Sequence, residues 1–288
     1  MKFKILVDNK TEKSRCKAEW GLAIAIETEG HKILFDTGAS SMFADNAKAL
    51  GVDLSEMEAL VISHGHYDHT EGVPAFIEIN ETAPIYLHKN ALGDIFGEED
   101  GKIDEDSCGI LWDGAFTEKV RSRIQFGEGV YKIFDNVTVV GNIPWHPAFS
   151  ATERFFRKIH VTDADGNAQL SFVQDEMDHE QFLVVEEGDT IHIFSGCSHK
   201  GVIATLEYAQ KLFPGKKIGS LIAGMHMYPL KSRQQDEIID AMLKMDVEWL
   251  VPLHCTGMEA IIKMKMKKGE KCLIASSGKS YEFYPQIP

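Results

Sequence analysis

The densest chemistry in this sequence lies in Ser63-His64-Gly65-His66-Tyr67-Asp68-His69-Thr70-Glu71-Gly72, where three histidines and an aspartate fall within six residues. Imidazole and carboxylate donors suit zinc, iron or manganese. Neighbouring side chains on a loop diverge, so His64 and His66 can point together while Asp68 and His69 reach a second centre a few ångströms away. A single histidine is most often packed or solvated; this density points to metal.

A strand must carry this loop. The apolar run Ala59-Leu60-Val61-Ile62 directly precedes Ser63, and a strand turning into a loop can aim several side chains at one point. Similar short runs, rich in β-branched residues and bounded by Gly, Asp or Asn, predict strands over 3–7, 22–26, 32–35, 59–63, 84–88, 137–141, 182–186, 191–195, 218–223 and 247–251. Apolar spacing of three and four predicts helices over 41–50 after a serine cap, 202–213 ending at Pro214-Gly215, 233–245 and 258–268. The methionines on the helical stripes read as core packing. Strand-rich early and alternating late, the chain predicts packed sheets with helices outside, a layered α/β architecture. The acidic, glycine-rich stretch 93–134, with isolated aromatics, reads as a lid-like insertion.

The 288 residues carry 30 Lys+Arg against 44 Asp+Glu, a net charge of −14. Binding nucleic acid needs a basic footprint, so this balance argues against such partners and against anionic membrane surfaces. It leaves room for a small anion drawn to a bound cation. No apolar run approaches the ~18–20 residues of a spanning helix. The N-terminal apolar stretch is shorter than a signal-peptide core of about 7–15 residues. Five scattered cysteines with no C-x-x-C pair are not a disulfide framework, and a reducing cytoplasm is the expected location. A chain of this length is expected to fold without metal.

The pattern H-x-H-x-D-H after a hydrophobic strand, His64 to His69 here, resembles the signature of the metallo-β-lactamase superfamily. Phe35-Asp36-Thr37-Gly38 resembles its first motif. Gly196-Cys197-Ser198-His199, Ala223-Gly224-Met225-His226 and Pro252-Leu253-His254-Cys255-Thr256-Gly257 resemble the motifs of one branch, that of the archaeal dihydropterin-ribofuranosylaminobenzene 5′-phosphate synthases of methanopterin biosynthesis. The resemblance runs from Leu6-Val7-Asp8-Asn9 to the C-terminal strand. It implies one αββα sandwich domain over 1–288, of α/β (α+β) class, with two mixed sheets flanked by helices and a metal site along one edge. It further implies that His64, His66 and a later histidine hold one divalent ion, and Asp68, His69 and His254 a second. Zinc is the first expectation, with manganese or iron as alternatives. His199 is the chosen later ligand; His179 competes with it. Asp36 is expected to orient a ligand histidine. Most members end the late strand in Gly-Asp, whose aspartate bridges both metals. Gly196-Cys197 stands there in this chain, leaving a Cys197 thiolate or a water as the bridge. Cys255 is given no role.

Two such ions would lower the pKa of a shared water and polarise a carbonyl or phosphoryl group. Asp68 is then a ligand and proton acceptor, and His226 a donor to a substrate oxyanion or leaving group. In the synthase branch the ions would instead bind a departing pyrophosphate. The expected function is a metal-dependent hydrolase or synthase-type enzyme acting on a small phosphorylated or cyclic-ester molecule. Arg121, Arg123, Arg154, Arg157 and Lys158 are candidate phosphate contacts, with Arg154 and Arg157 foremost beside Phe155 and Phe156. Alternatives are a diiron redox protein of the same fold and a non-catalytic metal-binding or sensing protein. The expected partner is a small anionic molecule; the oligomeric state stays open.

Overall fold

The computed structural model describes the chain apart from residues 100, 147, 149–153, 163–167 and 284–288. A seven-stranded mixed sheet is built from β1 (Lys2–Val7), β2 (Ala23–Thr28), β3 (His31–Phe35), β4 (Ala59–Val61), β5 (Ile85–His88), β8 (Ile124–Gly127) and β17 (Ser280–Glu282), in the order β17-β1-β2-β3-β4-β5-β8. A six-stranded mixed sheet is built from β9 (Val130–Phe134), β10 (Val137–Val140), β13 (Phe182–Glu187), β14 (Thr190–Ser195), β15 (Lys217–Gly224) and β16 (Trp249–Leu253), in the order β16-β15-β14-β13-β10-β9.

The side-chain period of two explains how these sheets stack. Ile24, Ile26, Ile33 and Phe35 face the second sheet and meet Val139, Leu183, Phe194, Ile222 and Val251 in the inner core. Phe3 packs edge-on to Phe194 across that layer, with ring centroids 5.5 Å apart. The alternate residues Ala23, Ala25, Leu34, Leu60 and Ile62 face outward against α1 (Met42–Leu50) and α3 (Val73–Ile79). The outer face of the second sheet is covered by α5 (Val202–Leu212), α6 (Ser232–Leu243) and α7 (Met258–Lys268), whose methionines Met242 and Met264 lie in that core. Strands covered on both faces read as nearly continuous apolar runs, and that is why they stand out in the sequence. The arrangement is the αββα sandwich.

A third sheet was not expected. It joins β6 (Ile95–Glu99) and β7 (Lys102–Ile103) to β11 (Phe155–Thr162) and β12 (Ala168–Gln174), in the order β12-β11-β6-β7. Residues 93–134 are therefore divided. β6 and β7 enter this small sheet, while α4 (Gly114–Val120) packs on the first main sheet and β8 and β9 are edge strands of the two main ones. The helix expected from Ser41 begins at Met42, with Ser41 at the N-cap position but making no side-chain capping bond; the Ser40 hydroxyl accepts the Met42 N–H at 3.1 Å. Among the described residues no helix is long and apolar enough to cross a membrane.

Candidate metal centre

β1, β3 and β4 run in one direction in the first sheet, and β14, β15 and β16 are parallel neighbours in the second. Their carboxyl ends come to one edge of the sandwich, the usual place for a ligand site in such sheets. Asp8, Asp36, Ser63, Cys197, His226 and His254 all stand just past those ends. Asp36, Ser198, His226 and His254 hold φ values of 57°, 54°, 43° and 50°. Left-handed backbone at non-glycine residues costs about 1–3 kcal/mol each and clusters at functional sites. The short α2 (Tyr67–Thr70) then turns Asp68 and His69 inward.

Three imidazoles form the first donor group. His64 Nε2 lies 3.1 Å from His66 Nδ1 and 3.3 Å from His199 Nε2, all three rings buried. Burial, reinforced by the neighbouring imidazoles, holds His64 and His199 well below the ordinary histidine pKa; burial and His179 do the same for His66. Three buried neutral rings that turn nitrogens to one point, within 4.8 Å of one another, present lone pairs of the kind a divalent ion takes. The donor set therefore fits a divalent ion.

Asp68, His69 and His254 form the second group, their ligand atoms within 4.8 Å of one another. Asp68 Oδ2 lies 3.2 Å from His254 Nε2 and 3.7 Å from His69 Nε2. Burial alone would raise Asp68, but His69 and His254 hold it below the usual carboxylate range. Burial alone would likewise lower His69, yet Asp68 and Asp36 push it up to about 9. Each ring is oriented from behind. Asp36 Oδ2 is 2.7 Å from His69 Nδ1. Asn9 Oδ1 is 2.9 Å from His254 Nδ1, while the Asp8 carboxylate accepts the His254 N–H at 2.7 Å. Both contacts leave Nε2 turned toward the site.

Cys197 lies among both groups. Its sulfur is 3.2 Å from His69 Nε2 and shares separate donor clusters with His64 and His69, with His199 and His226, and with His254 and Cys255. Burial and the adjoining Cys255 sulfur push this thiol up. His179 stands behind the site: its Nδ1 accepts the Gly65 N–H at 3.0 Å and its Nε2 faces Asp175 at 3.4 Å. The geometry thus brings His199, and not His179, to His64 and His66. His226 lies beside His199, ring centroids 4.4 Å apart.

A cavity of about 190 Å³ opens onto these donors. Phe155 of β11 forms one wall, 4.6 Å from the His66 ring and 5.0 Å from His199. Trp20 and Tyr228 form another, with Trp20 tilted against His254 at 5.4 Å. Gly97 and Asp104, from the small sheet and its following loop, close a third.

The arginines expected to meet phosphate are placed elsewhere. Arg157 pairs with buried Asp175 at 2.9 Å and donates to the Asn90 and Leu92 carbonyls. Arg154 pairs with Glu98 and lies over the Phe156 ring. Arg123 donates to the carbonyls of Asn80 and Ala83, and Arg121 pairs with Glu118. Lys158 lies over the Phe96 ring. Residues 152 and 153 of the same segment lie outside the described residues. Sequence reasoning also passed over Asn9, Glu180 and Cys255. Glu180, buried, accepts the backbone N–H groups of His199 and Lys200 at 2.6 and 2.8 Å; burial raises it to about 7 against those two bonds. The Asp8-Asn9 pair directly after a strand was the one local signal for His254's support.

Residues 21–177 match the family described as the metallo-beta-lactamase superfamily. An uncharacterized protein of Methanocaldococcus jannaschii is 31% identical over 91% of this chain and 93% of its own. From the same organism, 7,8-dihydropterin-6-methyl-4-(beta-D-ribofuranosyl)-aminobenzene-5′-phosphate synthase is 25% identical over 84% of this chain and 83% of its own. Among solved structures, Tm1679, named a metal-dependent hydrolase of the beta-lactamase superfamily, superposes with a TM-score of 0.79 at 25% identity, covering 99% of this chain and all of that one.

Proposed function

The chain belongs to the metallo-β-lactamase superfamily, and from that membership we propose a metal-dependent enzyme that acts on a small anionic substrate, a phosphate ester or a cyclic ester. His64, His66 and His199 would hold one divalent ion and Asp68, His69 and His254 a second, zinc in the first place. When bound, the ions supply Lewis acidity and lower the pKa of water. The protein supplies the rest. The Asp36 and Asn9 contacts hold the ligand rings in the tautomer that leaves Nε2 free. Asp68, kept ionised, is the acceptor for a proton leaving the attacking water. His226 beside His199 is the donor to the substrate oxygen that gains charge. Phe155 and Gly97 of the small sheet wall the cavity beside His66.

The observation that carries this reading is the convergence of two donor groups, His64 with His66 and His199 and Asp68 with His69 and His254, on one cavity. Among the described residues that line the cavity there is no lysine or arginine, so a small anion would be held on the bound ions. The synthase relative supports the same class, since its named product bears a phosphate. The decisive experiment is metal analysis followed by turnover of phosphomonoesters, phosphodiesters and lactones by zinc- and manganese-loaded protein. Two ions per chain, with turnover abolished by His64→Ala and His69→Ala, support the reading. Turnover that survives both substitutions, or less than about 0.5 ion per chain after reconstitution at this paired donor set, overturns it. Iron with visible absorption would favour the diiron redox alternative.

A further inference from the structure

Cys255 has no part in that scheme, yet it lies in the donor cluster. The Cys197 sulfur, a His254 ring nitrogen and the Cys255 sulfur all lie within 4.8 Å of one another, and both thiols are buried. Building on the metal reading above, we propose that Cys197 and Cys255 both donate sulfur to the metal centre, which is therefore a mixed nitrogen, oxygen and sulfur site.

The spacing is on the scale of shared coordination. Zinc–sulfur bonds of about 2.3 Å and zinc–nitrogen bonds of about 2.0–2.1 Å place the donors of one ion within about 4.6 Å of each other. Packing explains burial and chain adjacency brings Cys255 to His254, but neither explains its convergence on the Cys197 sulfur, beside the Cys197 carbonyl that the Cys255 thiol faces at 3.9 Å.

The backbone reserves space for this pair. Cys197 follows β14 and Cys255 follows β16, and β15 runs between them to end at Gly224. A Cβ on Gly224 would stand 2.9 Å from the Cys255 sulfur and collide with the Gly196 carbonyl. Glycine at this one position lets the two thiols approach across the middle strand. The Thr256 hydroxyl accepts the Met225 N–H at 3.1 Å and donates to the Ala223 carbonyl at 3.3 Å, which pins the turn that carries Cys255. The Cys255 sulfur also accepts the His226 N–H at 3.3 Å. An amide aimed at a sulfur stabilises negative charge there, the form in which cysteine binds metal.

The pair also answers the loss of the bridging aspartate. Where the resemblance implies a carboxylate after β14, Cys197 stands here, and Cys255 reaches it from the end of β16; each thiol would give its proton to solvent as its sulfur–metal bond forms. Thiolate donors favour zinc and disfavour manganese.

X-ray absorption at the zinc edge tests this without any substrate. The expected result for the zinc-loaded wild type is a sulfur shell near about 2.3 Å beside the shorter nitrogen and oxygen shell. Cys255→Ser should lower the sulfur amplitude, Cys197→Ser should lower it as well, and the double variant should lose it. The cobalt-loaded wild type should show thiolate-to-metal charge-transfer absorption in the near ultraviolet, and this needs no variant to fold. A zinc spectrum fitted by nitrogen and oxygen alone, or sulfur amplitude unchanged in Cys255→Ser, overturns the assignment while leaving the metal reading in place. Failure to retain zinc or cobalt at all overturns both.

Discussion

Asp36 Oδ2 lies 2.7 Å from His69 Nδ1, and the same carboxylate accepts the Ser63 backbone N–H and the Ser63 hydroxyl, each at 2.7 Å. One buried aspartate thereby ties β3 to the loop after β4 and fixes the His69 tautomer. An asparagine in its place can accept fewer of these bonds and carries no charge to favour the ring N–H. Asp36→Asn should weaken metal binding by about 10–100-fold, the usual effect of removing a ligand's partner. Competition with a chromophoric chelator measures this, and an unchanged far-ultraviolet spectrum separates it from unfolding. Wild-type affinity in Asp36→Asn would remove the orienting role.

The His69–Asp68–Asp36 cluster makes the metal-free protein sensitive to pH. His69 is raised from 6.5 to about 9. Its contribution to stability is fully present below about pH 6.5 and is lost as pH rises through about 9, an effect on the order of 3 kcal/mol. Asp68 has the opposite sign: its contribution is present above about pH 3.8 and is lost as pH falls through its lower folded value. Denaturant midpoints of chelator-treated protein should therefore fall between pH 6.5 and 9, whereas metal-loaded protein, with His69 deprotonated on the ion, should lack this loss. At pH 7 metal loading should also release a proton from His69, which titration calorimetry in buffers of different ionisation enthalpy detects.

The sequence made the strands legible because both faces of each main sheet are covered, so Ile24, Ile26 and Phe35 stand beside Ala25 and Leu34 in apolar runs. His64 to His69 were legible because their density is local. The rest depends on contacts that no local pattern records. Asn9 supports His254 across 245 residues of separation. The third sheet joins segments from either side of β8, β9 and β10. His179 and His199 are equivalent as types; the Gly65 N–H and Asp175 hold the His179 ring behind the site, while His199 Nε2 meets His64 Nε2. Arg157 looked like a phosphate contact from its neighbours, but Asp175 and two carbonyls already occupy its guanidinium.

Glu180 is the buried brace of the His199 turn. Its two oxygens accept the N–H groups of His199 and Lys200. Glutamine has one acceptor oxygen, so Glu180→Gln orphans one buried N–H, at a cost of about 1–3 kcal/mol. It should also loosen His199 and weaken metal binding by about 10–100-fold. Melting temperatures with and without metal check both effects, since bound metal stabilises by mass action. Equal losses in the two states would mean that Glu180 supports the fold and does not position His199.

Gly65 separates His64 and His66 of the first donor group, and its close neighbour is backbone. A Cβ there would collide with the Ala91 carbonyl and stand 3.1 Å from Ala91 Cα. Neither element can yield cheaply: Ala91 belongs to the core beside α3, and Gly65 donates its N–H to His179. Gly65→Ala should cost about 1–3 kcal/mol as overpacking and shift His64 against His66, lowering metal stoichiometry. Gly114 provides the contrast. It is the first residue of α4, and a Cβ there meets nothing within 4 Å among the described residues. Gly114→Ala should be neutral or stabilising by about 0.4–1 kcal/mol and should keep full metal content. Thermal melts and metal analysis of the two variants side by side give the answer, and full metal content in Gly65→Ala would show that this tight turn does not set the His64–His66 geometry.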